Sequence, residues 1–358
     1  MNQHPITNPR KTCGRYAASL LLGMWLMMLI CACNIMQAEP VDKGSLSAAQ
    51  NASLQSLSKV DDYPLYSMRF QGESSAAAFQ WDQPLHSSLA ASSTPLAWGC
   101  SLFAAMGDPG NMLYGRNFDW NFSPALLLFT SPPGGYASVS MVDMAYLGIR
   151  DDAINTLLEQ PLEVRRLLLD APELPFDGMN ARGLVVGMAA VPGSEATTDA
   201  QKPTIDSLMV IRLILDHAST VDEALATFEK YNLDWGSGPP LHYLVADTTG
   251  KAVLVEFTQG KMVVVPNQAP WHLATNFLVS PVKDAPAGNC PRYDRISRQL
   301  NKTGGRVALQ DALPLLADVS AAGENSTQWS IIYQMNSGDV SVVMGRKYEN
   351  VHHFVLTR

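Results

Sequence analysis

Three tight-turn signals, each set between apolar runs of strand length, constrain this chain more than any other feature. Gly107-Asp108-Pro109-Gly110 separates CSLFAAM from NMLYGRNFD, Thr248-Thr249-Gly250 separates LHYLVAD from KAVLVEF, and Asn336-Ser337-Gly338 separates WSIIYQM from VSVVMG. Turns of this kind return a strand antiparallel to its predecessor. KMVVVP, after Gly260, extends the second hairpin. The clearest helical stretch runs from Ile205 to Tyr231, where IDSLMVIRLILDHA carries apolar residues at helix period. Thr220 ahead of VDEALATFEKY offers an N-cap, with Glu223 at capping-box distance. Hairpins with intervening helices predict an α+β fold of layered antiparallel sheets covered by helices.

The chain has 358 residues, 47 % of them hydrophobic and 16 % charged, enough to bury a large core. A net charge of −8 and the lack of a Lys/Arg run flanked by aromatics argue against a nucleic-acid surface and favour a small-molecule partner. Residues 1–33 read as an export signal. Arg10, Lys11 and Arg15 precede the apolar run Ala17 to Ile30, which is shorter than the roughly 20 residues a membrane helix needs. Leu29-Ile30-Cys31-Ala32-Cys33 resembles a bacterial lipobox, with Cys33 as the lipidated residue of an exported chain, periplasmic or membrane-anchored; cleavage by an ordinary signal peptidase stays open. Residues 34–99 are Ser/Ala-rich and read as linker and propeptide-like segment, with one short strand in DDYPLYSMRFQG. Residues 100–358 have the texture of one compact domain.

Of five cysteines, Cys13, Cys31 and Cys33 lie in or beside the signal, leaving Cys100 and Cys290 in the body. These two are free to pair in an exported chain, unless one thiol is needed for chemistry. A thiol nucleophile needs a base. His217, His242, His272, His352 and His353 are available, yet none sits in a local signature. A cut between Gly99 and Cys100 would supply a base without a histidine, because the freed α-amine has an ordinary pKa of about 7.7–8.0. Gly99 suits such a cut, presenting no side chain against attack of the Cys100 sulfur on its carbonyl.

Cys100 followed by Arg116 and Asp119 in GRNFDW resembles the opening of the linear amide C-N hydrolases among the N-terminal nucleophile (Ntn) hydrolases. That group holds choloylglycine hydrolases, penicillin V acylases and acid ceramidase-like enzymes. The likeness continues through PFDGMNARGL, Asn276 in ATNF, CPRYDRI and TQWSIIY, in order, to the end of the chain. It implies a four-layer αββα sandwich, hydrolysis of an N-acyl amide through a thioester on Cys100, self-cleavage at Gly99-Cys100, and no cofactor. Residue by residue, Cys100 is the nucleophile and Arg116 lies against its thiol. Asp119 orients the amine, Asn276 donates to the oxyanion, and Arg292, with Arg295 as rival, supports the site from behind. Asp177 and Asn180 read as part of a tight turn, Cys290 as a buried thiol, and His242 as a satisfied core histidine. The pair His352-His353 lacks zinc-ligand spacing.

Two departures from the family pattern stand out. Bile-salt enzymes carry an oxyanion asparagine where GLVVGMAAVPG has Ala190, which puts bile-salt specificity in doubt. The long stretch before Cys100 is closer to ceramidase-type members, which cut themselves into two pieces that stay together. An acyltransferase on the same site and a non-catalytic exported binding protein remain as alternatives, and a homo-oligomer is left open.

Overall fold

A computed structural model describes residues 45–72, 99–150, 152–236, 238–282 and 286–357. The chain divides into two compact units, Met1–Ser45 and Leu46–Arg358, and the elements described here belong to the second. The export signal and lipobox lie outside the described residues.

The strands in chain order are β1 (Ser58–Asp61), β2 (Leu65–Phe70), β3 (Gly99–Ala105), β4 (Leu113–Asp119), β5 (Ala125–Thr130), β6 (Ser138–Asp143), β7 (Asp177–Asn180), β8 (Val185–Ala190), β9 (Thr204–Asp206), β10 (Asn232–Asp234), β11 (Leu241–Ala246), β12 (Ala252–Thr258), β13 (Lys261–Pro266), β14 (Trp271–Ala274), β15 (Thr327–Gln334), β16 (Asp339–Met344) and β17 (His352–Val355). One sheet runs β1-β2-β5-β6-β7-β8-β11-β12-β13 and a second runs β14-β3-β4-β15-β16-β17, with β9 and β10 forming a small parallel pair. All three turn signals join antiparallel neighbours, β3 to β4, β11 to β12 and β15 to β16.

The two sheets pack face to face through one apolar core: Leu102 and Tyr114 of the second lie against Gly187 of the first, and the Tyr114 hydroxyl donates to the Leu244 carbonyl at 3.0 Å. Strands covered on both faces are buried throughout: β3 reads as a nearly continuous apolar run, whereas β4 also buries Arg116, Asn117 and Asp119. Helices Met209–His217 and Val221–Lys230 cover the larger sheet, and helices Pro291–Thr303 and Leu309–Asp318 cover the smaller. The layers are therefore helix, sheet, sheet, helix, the αββα arrangement expected.

Three local readings need correction. Ile205 and Asp206 are not helical: Ile205 pairs with Leu233 in β9/β10, and the helix begins at Met209. Thr220 does cap the second helix, accepting from Glu223 N at 3.3 Å, but the Glu223 carboxylate reaches back to Ser219 N, one residue early. The DGMN segment is strand β7 itself, wholly buried, with the turn following it.

The segment read as linker and propeptide is also more than a tether. Helix Ala48–Gln55, closed by a Ser47/Gln50 capping box, and strands β1 and β2 are built into the larger sheet. Leu54, Tyr66 and Met68 share a second apolar cluster with Leu126, Leu128 and Leu168. β2 runs parallel to β5, the one exception to antiparallel order in that sheet. The two strands are joined through the β3–β4 hairpin of the other sheet, a connection long enough for parallel pairing.

Candidate active site

Cys100 is the second residue of β3, and its surroundings follow from strand parity. Side chains alternate between the faces of a strand, and the β3/β4 register pairs Gly99 with Asp119, Cys100 with Phe118, and Leu102 with Arg116. The Cys100 thiol, Phe118 and Arg116 therefore share the face between the sheets. Gly99, Ser101, Asn117 and Asp119 share the opposite face, toward the helices.

On the inner face, Arg116 is fully buried and donates through Nη1 to the Phe176 carbonyl at 2.7 Å and to the Asp177 carboxylate. Tyr333 donates to the other Asp177 oxygen. Asp177 is thus the counter-ion of Arg116, and its reading as a turn residue is replaced by that of an ion-pair partner. Asn180 keeps a structural task, its amide donating to Leu215 O at 3.1 Å and Ala218 O at 2.7 Å. The Arg116 guanidinium lowers the Cys100 pKa, but burial pushes the thiol up by more, so the net shift is upward. A thiol so placed stays protonated until a base takes its proton.

On the outer face, Asp119 accepts from Thr327 Oγ1 at 2.6 Å through Oδ1. Its Oδ2 is buried and accepts no hydrogen bond, with Nη1 of Arg292 3.9 Å away. Burial pushes this carboxyl up to about 6, against the Thr327 hydrogen bond and the Arg292 charge. Arg292, in the first turn of helix Pro291–Thr303, donates to the Cys100 carbonyl, to Ser101 Oγ at 3.1 Å and to Asn276 Oδ1 at 2.9 Å. Arg295 instead pairs with Asp318 at 2.7 Å in an exposed position. Of the two rivals, Arg292 is the one beside the cysteine.

Asn276 follows β14 and joins the two sheets. Its Oδ1 accepts the Cys100 backbone N–H at 2.7 Å, and its Nδ2 donates to the Ala190 carbonyl at 2.7 Å. The residue expected to face an oxyanion thus has one N–H engaged in the uncut chain and a second to give. Ala190 enters through its backbone, not its side chain. Cys290, expected to be a buried thiol, is only half-buried, at the N-cap of helix Pro291–Thr303; both it and Cys100 are free.

A pocket opens onto the thiol, lined by Phe118, Trp120, Tyr146, Phe176, Met188 and Trp235. Tyr146 meets Phe176 edge-on at 5.0 Å, and Phe118 meets it at 5.3 Å. Walls of this kind accept an apolar group, with Asp206 and Ser207 as polar side chains on the lining. Among the described residues no cluster of His, Cys, Asp or Glu is arranged to hold a metal ion.

Residues 100–276 match the linear amide C-N hydrolases, choloylglycine hydrolase family. No curated protein sequence matches the chain. Two solved structures of variants of the conjugated bile acid hydrolase from Clostridium perfringens superpose with a TM-score of 0.53 at 16 % identity, over 72 % of this chain and 92 % of theirs. The penicillin V acylase from Agrobacterium tumefaciens gives 0.50 at 16 % identity, over 72 % of this chain and 86 % of its own. At that identity the structures speak for the fold, and the sequence match speaks for the family. The match over residues 100–276, together with the shared fold, supports a linear amide C-N hydrolase of the choloylglycine hydrolase type.

Proposed function

We propose that the chain cuts itself between Gly99 and Cys100 and then hydrolyses an N-acyl amide with an apolar acyl group, using Cys100 as nucleophile and its new α-amine as base. The observation that carries this reading is Asp119 Oδ2: a buried carboxylate oxygen that accepts no hydrogen bond, facing Gly99, at the bond to be cut. Leaving such an oxygen unpaired is costly. In the uncut chain the Cys100 nitrogen has a single N–H, already given to Asn276. A cut turns that nitrogen into an amine with further N–H groups, and Asp119 is the acceptor beside it.

The cut proceeds by attack of Cys100 Sγ on the Gly99 carbonyl carbon. The C–S bond forms, the C–N bond breaks, and the thiol proton ends on the leaving nitrogen. Water then hydrolyses the resulting thioester, giving a Gly99 carboxylate and restoring the thiol. In the mature site the α-amine takes the thiol proton as sulfur attacks the substrate amide and passes it to the leaving amine. It then deprotonates the water that clears the thioester. Arg116 favours the thiolate from the pocket side, and Arg292 holds the Cys100 carbonyl and Asn276 in register. The free N–H of Asn276 serves the oxyanion, a contribution of roughly 2.7–4 kcal/mol for a single donor. Export and lipid attachment through Cys33 belong to the same proposal.

Intact mass and N-terminal sequencing of the purified protein test the cut. A fragment beginning at Cys100 is expected, and the Cys100→Ala variant should stay whole and inactive. Processing that persists in Cys100→Ala would sink the mechanism. A panel of bile-salt conjugates, penicillin V, N-acyl amino acids, acyl homoserine lactones and long-chain ethanolamides then defines the acyl group.

A further inference from the structure

Asn276 lies in a turn whose two sides are gripped by a buried imidazole–carboxylate pair from the larger sheet. His242 of β11 and Glu256 of β12 are both wholly buried, and Nδ1 of the imidazole faces Oε1 of the carboxylate at 3.4 Å. The other ring nitrogen, Nε2, donates to the Thr275 carbonyl at 2.8 Å, one residue before Asn276. The Glu256 carboxylate accepts the backbone N–H groups of Val279 at 2.6 Å and Ser280 at 2.8 Å. One side chain thus holds the entrance of the turn and the other its exit. The β11 strand is also the neighbour of β8, where Leu241 pairs with Ala190, whose carbonyl takes the Asn276 amide.

The partners of the ring are fixed by geometry: Nε2 faces a carbonyl and therefore donates, and Nδ1 faces the Glu256 carboxylate. Burial pushes Glu256 up, but hydrogen bonds from His242, Ser280 and Val279 outweigh it and leave the carboxyl below its ordinary range. The other titratable group packed here, His272 of β14, is committed elsewhere as a neutral ring. Its Nε2 donates to Val265 O at 2.9 Å and its Nδ1 accepts Leu273 N–H at 3.0 Å. Burial holds the His272 pKa below its ordinary value. Buried polar side chains rarely add stability over apolar ones of the same volume, so stability alone gives no reason for this imidazole–carboxylate pair in the core.

We propose that His242 and Glu256 are positioning residues, clamping the 275–280 turn so that Asn276 stays on the Cys100 nitrogen. This rests on the reading of Asn276 and Cys100 as working parts of the amide-hydrolysing site. Two readouts on the purified, processed protein separate the ideas: hydrogen exchange of the 275–280 amides, and kcat and KM on the best amide of the panel. In His242→Leu the turn amides should exchange about tenfold faster. The same variant should lose roughly 10–100-fold in kcat, as expected for a misplaced group, with KM changed by less than about threefold. His242→Gln, whose amide N–H takes the place of Nε2, should restore both, and Glu256→Gln should loosen the 279–280 end. If His242→Leu does not fold, His242→Asn, which mimics Nδ1 and not Nε2, replaces it with the same expected losses. A turn as protected in the variant as in the parent, or a kcat loss that Gln does not restore, overturns the proposal. A parent inert toward every amide, with the turn loosened in the variant, would support the clamp while counting against the hydrolase mechanism.

Discussion

A Cβ built on Gly99 would stand 2.8 Å from Oδ2 and 2.9 Å from Cβ of Asp119, closer than real side chains come. Glycine is therefore needed here for close approach and not for an unusual backbone angle. The crowding packs the Asp119 carboxyl against the bond proposed to be cut and keeps water from it. Asp119 holds its proton to about 6 in the folded uncut chain, against 3.8 when exposed. A raised carboxyl contributes stability that is fully present below the unfolded value and lost as pH climbs through the folded one. Between pH 4 and 7, uncut Cys100→Ala should lose up to about 3 kcal/mol more stability than Cys100→Ala/Asp119→Asn. Urea unfolding at both pH values checks this, and parallel losses in the two variants would refute it. The hairpin that brings Arg116 and Asp119 back beside Cys100 was legible in the sequence; that the two face opposite ways follows from their odd separation in β4. The choice of Arg292 over Arg295 was not legible, because three residues apart they lie near one another on a helix, and only docking decides which reaches β3.

β7 shows how a wholly buried strand carries a polar duty. Asp177 lies in a segment that reads as a turn because Gly178 follows it, and no local pattern announces an ion pair. The missing signal was a long-range one: a buried arginine at 116 demands an acceptor, and the chain offers few buried carboxylates. Asp177→Asn keeps the shape and removes the charge, leaving the fully buried Arg116 uncompensated. It should cost about 3–5 kcal/mol in stability and slow both processing and turnover, measured by thermal unfolding and by the appearance of the fragment starting at Cys100. An unchanged melting temperature would mean that Arg116 finds another partner. The hairpins themselves were plain in the sequence because turn residues mark them, whereas β9 was not. Its three residues sit at the head of a helix-period run, and pairing with β10, supplied by distant chain, overrides the local preference.

The fold depends on residues that the proposed cut would detach. Helix Ala48–Gln55 and strands β1 and β2 fill one end of the larger sheet, with Leu54, Leu65 and Tyr66 wholly buried. Tyr66 donates to Ile154 O at 2.5 Å, Tyr63 to Gln328 at 2.9 Å, and Asp61 pairs with His352 at 2.6 Å. Each large apolar side chain so buried contributes about 1.5–3 kcal/mol, and together they rival the whole stability of a typical domain. The fragment ending at Gly99 should therefore co-elute with the body after processing and separate from it only in denaturant. A body that runs alone at its full melting temperature would contradict this. The sequence showed one short strand here but not its partner, since parallel pairing to β5 is set by the far side of the β3–β4 hairpin.

The division of β3 into two working faces has a practical consequence for engineering. The pocket-lining Phe118, Tyr146 and Trp235 lie on the thiol's side, while Asp119 and Arg292, the groups proposed for maturation, stand on the other. On the proposed function, a library that reshapes this pocket can be drawn without touching Asp119 or Arg292, so variants with altered substrate preference need not be lost as unprocessed precursors.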